Sequence, residues 1–354
     1  MPVRSDSSAS SPALELLREE TRRYVRGYRS ASLCAGLTVR GEHHVLPLRG
    51  EGTPPAENAL YFLGTLTQVF TGSLLSLLAE GGRARLDMPL SEVIPRPLLP
   101  DPDAGTVTLE QLARHTSGMP YLPPNLNVAA ANPEDPFGHY SANLFGDFLR
   151  SYHPDSLPPR PTSPSLLGMG VLGHALSRRA GLNYGHALRD WLFTPLKLTD
   201  TSMRVTDELA PRLLPGHSAR GKKLAPWTFP ALPGAAGLHS TVPDLLRFLD
   251  ACLGGGGGDE ALSKSLKRTW DSGAAPGMGL GWSLSQFQGH TIAWSSSVMG
   301  GYVGFMGLAP AANAGVVLLS DTAWSWFSAF RNRVPLEAPG FALLSRLLAE
   351  SGAR

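Results

Sequence analysis

Cysteine is nearly absent: Cys34 and Cys252 are the only two in 354 residues, too few and too far apart for a disulfide framework or a thiolate zinc site. Each reads as a small buried apolar residue. An excess of charge of one sign is missing too. With 31 Lys and Arg against 29 Asp and Glu, the chain lacks the concentrated basic face that nucleic acid or a polybasic membrane surface would need. The opening stretch "MPVRSDSSASSPALELLREETRRY" has no apolar core ahead of a small-residue cleavage site, so no secretory signal is read and the default compartment is cytoplasmic. The one long uncharged run, between His290 and Asp321, is interrupted by "GLAPAANAG". It is therefore expected to be two buried strands and a turn, with no membrane span. Gly254 to Gly258 have no phosphate-cradle spacing and no following Lys, and read as a flexible surface loop. His43 and His44 have no third ligand at suitable spacing, so neither a metal nor a cofactor is expected.

What is present is a change of character along the chain. A Ser-rich tail (1–12) precedes a charged amphipathic helix over Ala13 to Tyr28, and Ser32 to Leu48 read as a hairpin broken around Gly41-Glu42. Leu66, Val69, Phe70, Leu74, Leu77 and Leu78 then recur at helical spacing, apolar on most of the circumference, which predicts a central helix. From Asp87 to about Phe229 the chain is Pro-punctuated and helical. Thr108 and Gln111 fit a capping box closed by Gly118, and "GVLGHALSRRAG" runs into a Gly stop. Ser240 or Thr241 can cap "STVPDLLRFLDACL", with Pro243 near its first turn. "GLGWSLSQF", "HTIAWSS", "GYVGFMGLA" and "GVVLLSD" then predict strands. Strands at both ends of the chain around a helical middle predict an α+β fold. Its antiparallel sheet is closed by both termini and flanked by helices, with an all-α subdomain inserted. The expected boundaries are one domain over 13–354, its α/β part at about 13–86 and 230–354 and its helical part at about 87–229.

Six stretches in order, "FLGTLTQVFTGSLLSLLAEGGRARLDMPLSEVIP", "LEQLARHTSGMP", "LLGMGVLGHALSRRAG", "PLKLTDTSM", "GAAGLHSTVPDLLRFL" and "GLGWSL", followed by the terminal strand pair, carry a resemblance. From about Ala31 to Asp321 the chain resembles the serine β-lactamases and penicillin-binding peptidases, most closely their class C-like, esterase-like relatives. The resemblance implies three motifs. A Ser at the start of the buried helix is the nucleophile, and a Lys one turn later on the same face takes its proton. A Tyr-x-Asn adds a second proton-transfer group and an orienting amide. A strand Lys-Thr-Gly or His-x-Gly adds a cationic or acidic group and a Gly for close approach. Backbone N–H groups of the nucleophile and the strand form the oxyanion hole.

Here the first motif falls on Thr65-Leu66-Thr67-Gln68. Thr65 keeps a hydroxyl with a restricted rotamer, while Gln68 is a neutral amide in the Lys position and cannot take a proton. The second falls on "PSLLG", with Pro164 in the Tyr position and Leu166 in the Asn position. The third follows Trp294 in "SSSVMGGY": Ser295 stands in the His/Lys position, and Ser297 puts a side chain where Gly gave close approach. The backbone oxyanion hole of Thr65 and Val298 is expected to persist in shape, with Trp294 and Tyr302 lining the cleft. General-base assistance is worth about 10²–10⁴ in rate, so losses in all three motifs are hard to offset.

Neighbouring polar residues read as structural. "YSAN" (Tyr140 to Asn143) lies too early for the second motif and reads as the Ser141-capped start of a helix. His115 and Ser117 in "HTSG" read as a helix stop, and His290 as a surface or edge residue. Ser165, Ser295, Ser296 and Ser297 read as a polar pocket wall. Two functions remain. One is a pseudoenzyme on the serine hydrolase fold, its cleft holding an unknown small molecule, peptide or protein. The other is a weak or altered serine/threonine-type hydrolase (esterase, D-amino-acid peptidase or β-lactamase-like) acting through Thr65.

Overall fold

A computed structural model describes residues 11–28, 31–127, 132–155, 160–224, 227–255, 260–271, 277–323 and 334–352. Most of the Ser-rich tail and the Gly run beyond Gly255 lie outside them. Hairpins build the main sheet. Strands β1 (Ser32–Val39) and β2 (Glu42–Arg49) turn through Arg40 and Gly41, both at positive φ. Two other short strands, β3 (Tyr61–Phe62) and β4 (His239–Ser240), pair with each other. Towards the C-terminus come β5 (Ser283–Phe287), β6 (His290–Met299), β7 (Tyr302–Ala309) and β8 (Ala314–Ser320). The β6–β7 turn is Gly300-Gly301, again with φ positive at both residues, the geometry whose twist suits a two-residue hairpin. The six-stranded sheet runs β2-β1-β8-β7-β6-β5 with every pairing antiparallel, so β1 from one end of the chain meets β8 from the other.

Alternation along β8 shows how two cores share that sheet. Val316 and Leu318 face one side, where helices α1 (Pro12–Gly27) and α11 (Glu337–Glu350) bring Leu17, Tyr24, Leu343 and Leu344. Val317 and Leu319 face the other, towards α2 (Thr67–Glu80) and α9 (Val242–Leu253). Helix α9 lies close to β1 and β8 because Gly36 and Gly315 leave room for it. A Cβ on Gly36 would stand 2.3 Å from Val242 Cγ1, and one on Gly315 3.0 Å from Leu249 Cδ1.

Between α2 and β4 the described chain is helical: α3 (Pro102–Gly105), α4 (Leu109–Ala113), α5 (Ala142–Ser151), α6 (Leu166–Ala180), α7 (Tyr184–Leu188) and α8 (Thr194–Leu196). Most expected caps are in place, but Gly118 does not close α4, which ends at Ala113 with His115 as the first left-handed residue after it, at φ +56. Thr108 and Gln111 form the reciprocal capping box of α4, Ser141 caps α5, and Gly181 ends α6 in the left-handed conformation. Of the two candidates before α9, Thr241 is the one whose hydroxyl accepts from Asp244 N–H. One strand starts later than "GLGWSLSQF" suggested. Gly279 to Trp282 precede β5, with Leu280 N–H bonded to Thr269 O and Gly281 N–H to Ala113 O, so this segment docks on helices before it joins the sheet. Helix α10 (Glu260–Arg268) packs beside α2 and α9. No described helix is long and apolar enough to cross a membrane.

Helix α2 is central, as its pattern predicted, with Val69, Phe70, Leu74, Leu75 and Leu78 fully buried. At Gly72 a Cβ would lie 2.1 Å from Leu280 O, so only glycine allows this contact. Buried Thr71 donates to Gly234 O at 2.7 Å and lies 2.6 Å from Tyr184 Oη, and Thr67 Oγ1 accepts from Leu238 N–H at 3.2 Å. The start of α2 is thereby tied to the segment leading into β4 and to α7.

Candidate active site

A single 3₁₀ turn, Gly64–Leu66, leads into α2 and carries Thr65 at its centre. Gly64 sits at φ +53, and a Cβ there would be 2.3 Å from Ser297 Oγ and 3.0 Å from Met299 Cβ. Strand β6 therefore still comes hard against the turn, correcting the expectation that a side chain at 297 ends the close approach. Gly64 on the opposite side yields the space. Thr65 is tied to this strand twice. Its N–H donates to Ser297 Oγ at 3.0 Å, and its own hydroxyl donates to Ser296 O at 3.0 Å.

Strand geometry fixes where the second backbone donor points. Met299 and Tyr302 close a two-residue hairpin and exchange hydrogen bonds, so the polar groups of Val298 and Ser296 turn to the edge away from β7. Ser296 O does accept from Thr65 on that edge. The Val298 N–H points to the same edge of β6 as Ser296 O, while its side chain, even-numbered like that of Trp294, lies on the opposite face of the strand, and the residue is 47% exposed. The acceptor place at Thr65 N–H, however, is filled by the neutral oxygen of Ser297.

One turn along α2, Gln68 Oε1 lies 3.2 Å from His115 Nε2. Ser165 N–H donates to His115 Nδ1 at 3.2 Å, so Nδ1 must accept and the ring proton stands on Nε2, which donates to Gln68. Burial pushes the His115 imidazole down to about 4, since no nearby acid supports its charged form. The ring is neutral and both its nitrogens are engaged. Ser165 is equally committed: its hydroxyl accepts from Gly168 N–H at 2.8 Å as the cap of α6 and donates to Pro120 O at 2.7 Å. Beside it Pro164 is exposed, whereas Leu166 opens α6 as a buried core residue.

The structure gathers some of the expected site residues and separates others. Thr65, Ser296 and Ser297 converge, with Gln68 one turn on from Thr65, and half-buried Ser295 lies on the same face of β6 as Ser297, whereas the Val298 side chain lies on the other. Trp294 does not line the cleft. As an even-numbered residue of β6 it faces the opposite core, its ring 6.4 Å from Phe305 and 5.0 Å from Phe341, with Nε1 donating to Ser285 Oγ. Tyr302 is also a core residue, with its hydroxyl on Leu214 O and its ring edge towards Phe62. His290 begins β6, seven residues before Ser297, which is about 23 Å of strand. Ser117 Oγ accepts from Met119 N–H in the turn after α4, and His115 itself has φ +56 there. Tyr140 donates to Asn125 Oδ1 at 3.0 Å, a structural bond. His43 lies on β2 beside Thr38, and both bond the buried Asp250 carboxylate. No group of three or more potential metal ligands occurs among the described residues.

The reading from sequence missed two things: the ring of His115 reaches Gln68, and Ser297 Oγ sits on Thr65 N–H. The first had a faint signal, a His in a tight turn just past a helix stop. The second is a contact between residues 232 positions apart and had none.

A model of the beta-lactamase family matches residues 17–337. Penicillin-binding protein 4 of Amycolatopsis lactamdurans is 27% identical over 304 residues, covering 79% of this chain and 77% of that protein. Esterase EstB of Burkholderia gladioli is 26% identical over 269 residues, covering 66% and 67% respectively. Among solved structures, a beta-lactamase/D-alanine carboxypeptidase from Pseudomonas syringae superposes with a TM-score of 0.79 at 20% identity, over 95% of this chain and 99% of that one. At that identity the likeness speaks for the fold.

Proposed function

The chain belongs to the beta-lactamase family, and we propose that it is a non-catalytic member whose cleft is kept for binding. One observation carries the reading: the oxygen of Ser297 accepts the Thr65 N–H at 3.0 Å, where a serine hydrolase of this fold needs an open donor for developing negative charge. Two further facts agree with it. Thr65 donates its hydroxyl hydrogen to a carbonyl, Ser296 O, which cannot act as a base near neutral pH. Gln68 holds the Lys position and accepts a hydrogen bond from a neutral, buried imidazole. A nucleophile needs a partner that removes its proton, and none of the three motif positions supplies one. Pro164 has no titratable group, Leu166 is in the core, and Ser295 is neutral at any ordinary pH.

In this reading the recess around Thr65, Gln68 and Ser295 is a neutral hydrogen-bonding surface. It suits an uncharged small molecule or a segment of a partner protein. The altered-hydrolase alternative has only the surviving Thr65 hydroxyl in its favour.

Steady-state hydrolysis of a chromogenic cephalosporin and a p-nitrophenyl ester tests the proposal. The native chain and Thr65→Ala are expected to give the same background rate between about pH 6 and pH 9, the range in which a general base would be in play. A rate that disappears with Thr65 contradicts it. The double variant Thr65→Ser with Gln68→Lys is expected to gain little, because positions 164, 166 and 295 remain as they are.

A further inference from the structure

Overall charge balance hides a local concentration of arginine. Arg18, Arg22 and Arg26 recur every fourth residue and so form one row along α1, a helix whose opposite face is packed on the sheet through Leu17 and Tyr24. This row and Arg49, at the end of β2, line an open groove of about 930 Å³ between helix and strand. Its wall also contains Thr21, Val25, Leu48 and Gly50. All four arginines are exposed, and none has a hydrogen-bond or ion-pair partner among the described residues. Of the acidic residues of the groove, Glu19 holds Arg346 at 2.7 Å, and Glu15 and Glu51 have interactions of their own.

We propose that this groove is a docking site for an acidic peptide segment of a partner protein, bound in extended form. Spacing supports the choice. Successive arginines of the row are four helical residues apart, an advance of about 6 Å. Alternate residues of an extended chain are about 6.6 Å apart, so carboxylates on every second residue match the row. The residues between them face the floor, where Val25 and Leu48 offer apolar contact. The positive charge of the groove is discontinuous, its arginines being interspersed with Glu15, Glu19 and Glu51, so a segment with neutral residues between its carboxylates suits the lining better than a polyphosphate backbone charged at every unit. A flat anionic bilayer would not reach the concave floor. The site lies on the α1 side of the sheet, and its use does not depend on whether the Thr65 cleft is catalytic.

The test uses the full chain and a fluorescently labelled octapeptide of alternating Glu and Val, followed by anisotropy, with an octapeptide of alternating Lys and Val as the control. Saturable binding of the acidic peptide is expected, weakened about tenfold or more by Arg22→Glu with Arg26→Glu, and lost at about 1 M salt, where charges are screened within about 3 Å. The variant positions are exposed and unpartnered among the described residues, so circular dichroism and the melting temperature should match the native chain. The charge-conserving pair Arg22→Lys with Arg26→Lys should retain most of the binding, which separates charge from mere disturbance of the helix. Four results overturn the proposal: no saturable binding, equal affinity for the basic control peptide, equal affinity in the Arg→Glu variant, or tighter binding of a single-stranded oligonucleotide or of phosphatidylserine vesicles than of the acidic peptide.

Discussion

The two ends of the contact between α2 and its surroundings are held by different means. Behind the helix, Phe70 stacks on Phe248 at 4.5 Å, Gly72 touches Leu280 O, and Thr71 satisfies both Gly234 O and Tyr184 Oη, all without exposure. In front, Thr65 and Gln68 are half-buried and held by single hydrogen bonds to Ser297, Ser296 and His115. Packing and paired polar groups maintain the scaffold. At the mouth, a few exchangeable polar side chains decide whether there is chemistry. A sequence can therefore keep the first almost intact while the second is rewritten.

Damage behind the helix is expected to be the most destabilising. Phe70→Ala should cost about 3–5 kcal/mol, the usual range for truncating a fully buried aromatic, read as a lower urea midpoint. Thr71→Val is the next largest effect. It leaves Gly234 O and the Tyr184 hydroxyl without their buried partner, at about 1–3 kcal/mol.

The pH dependence comes third, and its sign follows from burial. His115 and His239 are both pushed down to about 4, desolvation being the main cause in each. Between the unfolded histidine value of about 6.5 and the folded value, the unfolded chain binds more protons. Stability is therefore complete above that window and falls as the pH drops through it, by up to about 1.4 kcal/mol per pH unit for each histidine. Urea titrations at several pH values should show this slope, and His115→Gln should reduce it. The smallest expected effect is at the mouth. Ser297→Gly should change stability by about 1 kcal/mol or less and produce no hydrolysis, although it frees Thr65 N–H. A gain in activity there would mean that blocking the donor, and nothing else, had silenced the site.

The helical periodicity of Leu66 to Leu78, the caps at Thr108 and Ser141 and the hairpin break at Gly41 could be read from sequence because each is a local physical requirement. The sheet closed by both termini followed from which segments looked like strands. Trp294 was misread because an aromatic beside a motif looks like a cleft wall, whereas its even register on β6 sends it to the other core. The Ser297 bond to Thr65 and the His115 bond to Gln68 were not legible, since both depend on how far a strand and a turn advance over the start of α2.

Intact mass of the native chain after incubation with a reactive phosphonate ester and a fluorescent penicillin is the most direct test of a cleft without catalysis. The unmodified mass is expected with both reagents. A stoichiometric adduct that is absent from Thr65→Ala would contradict it.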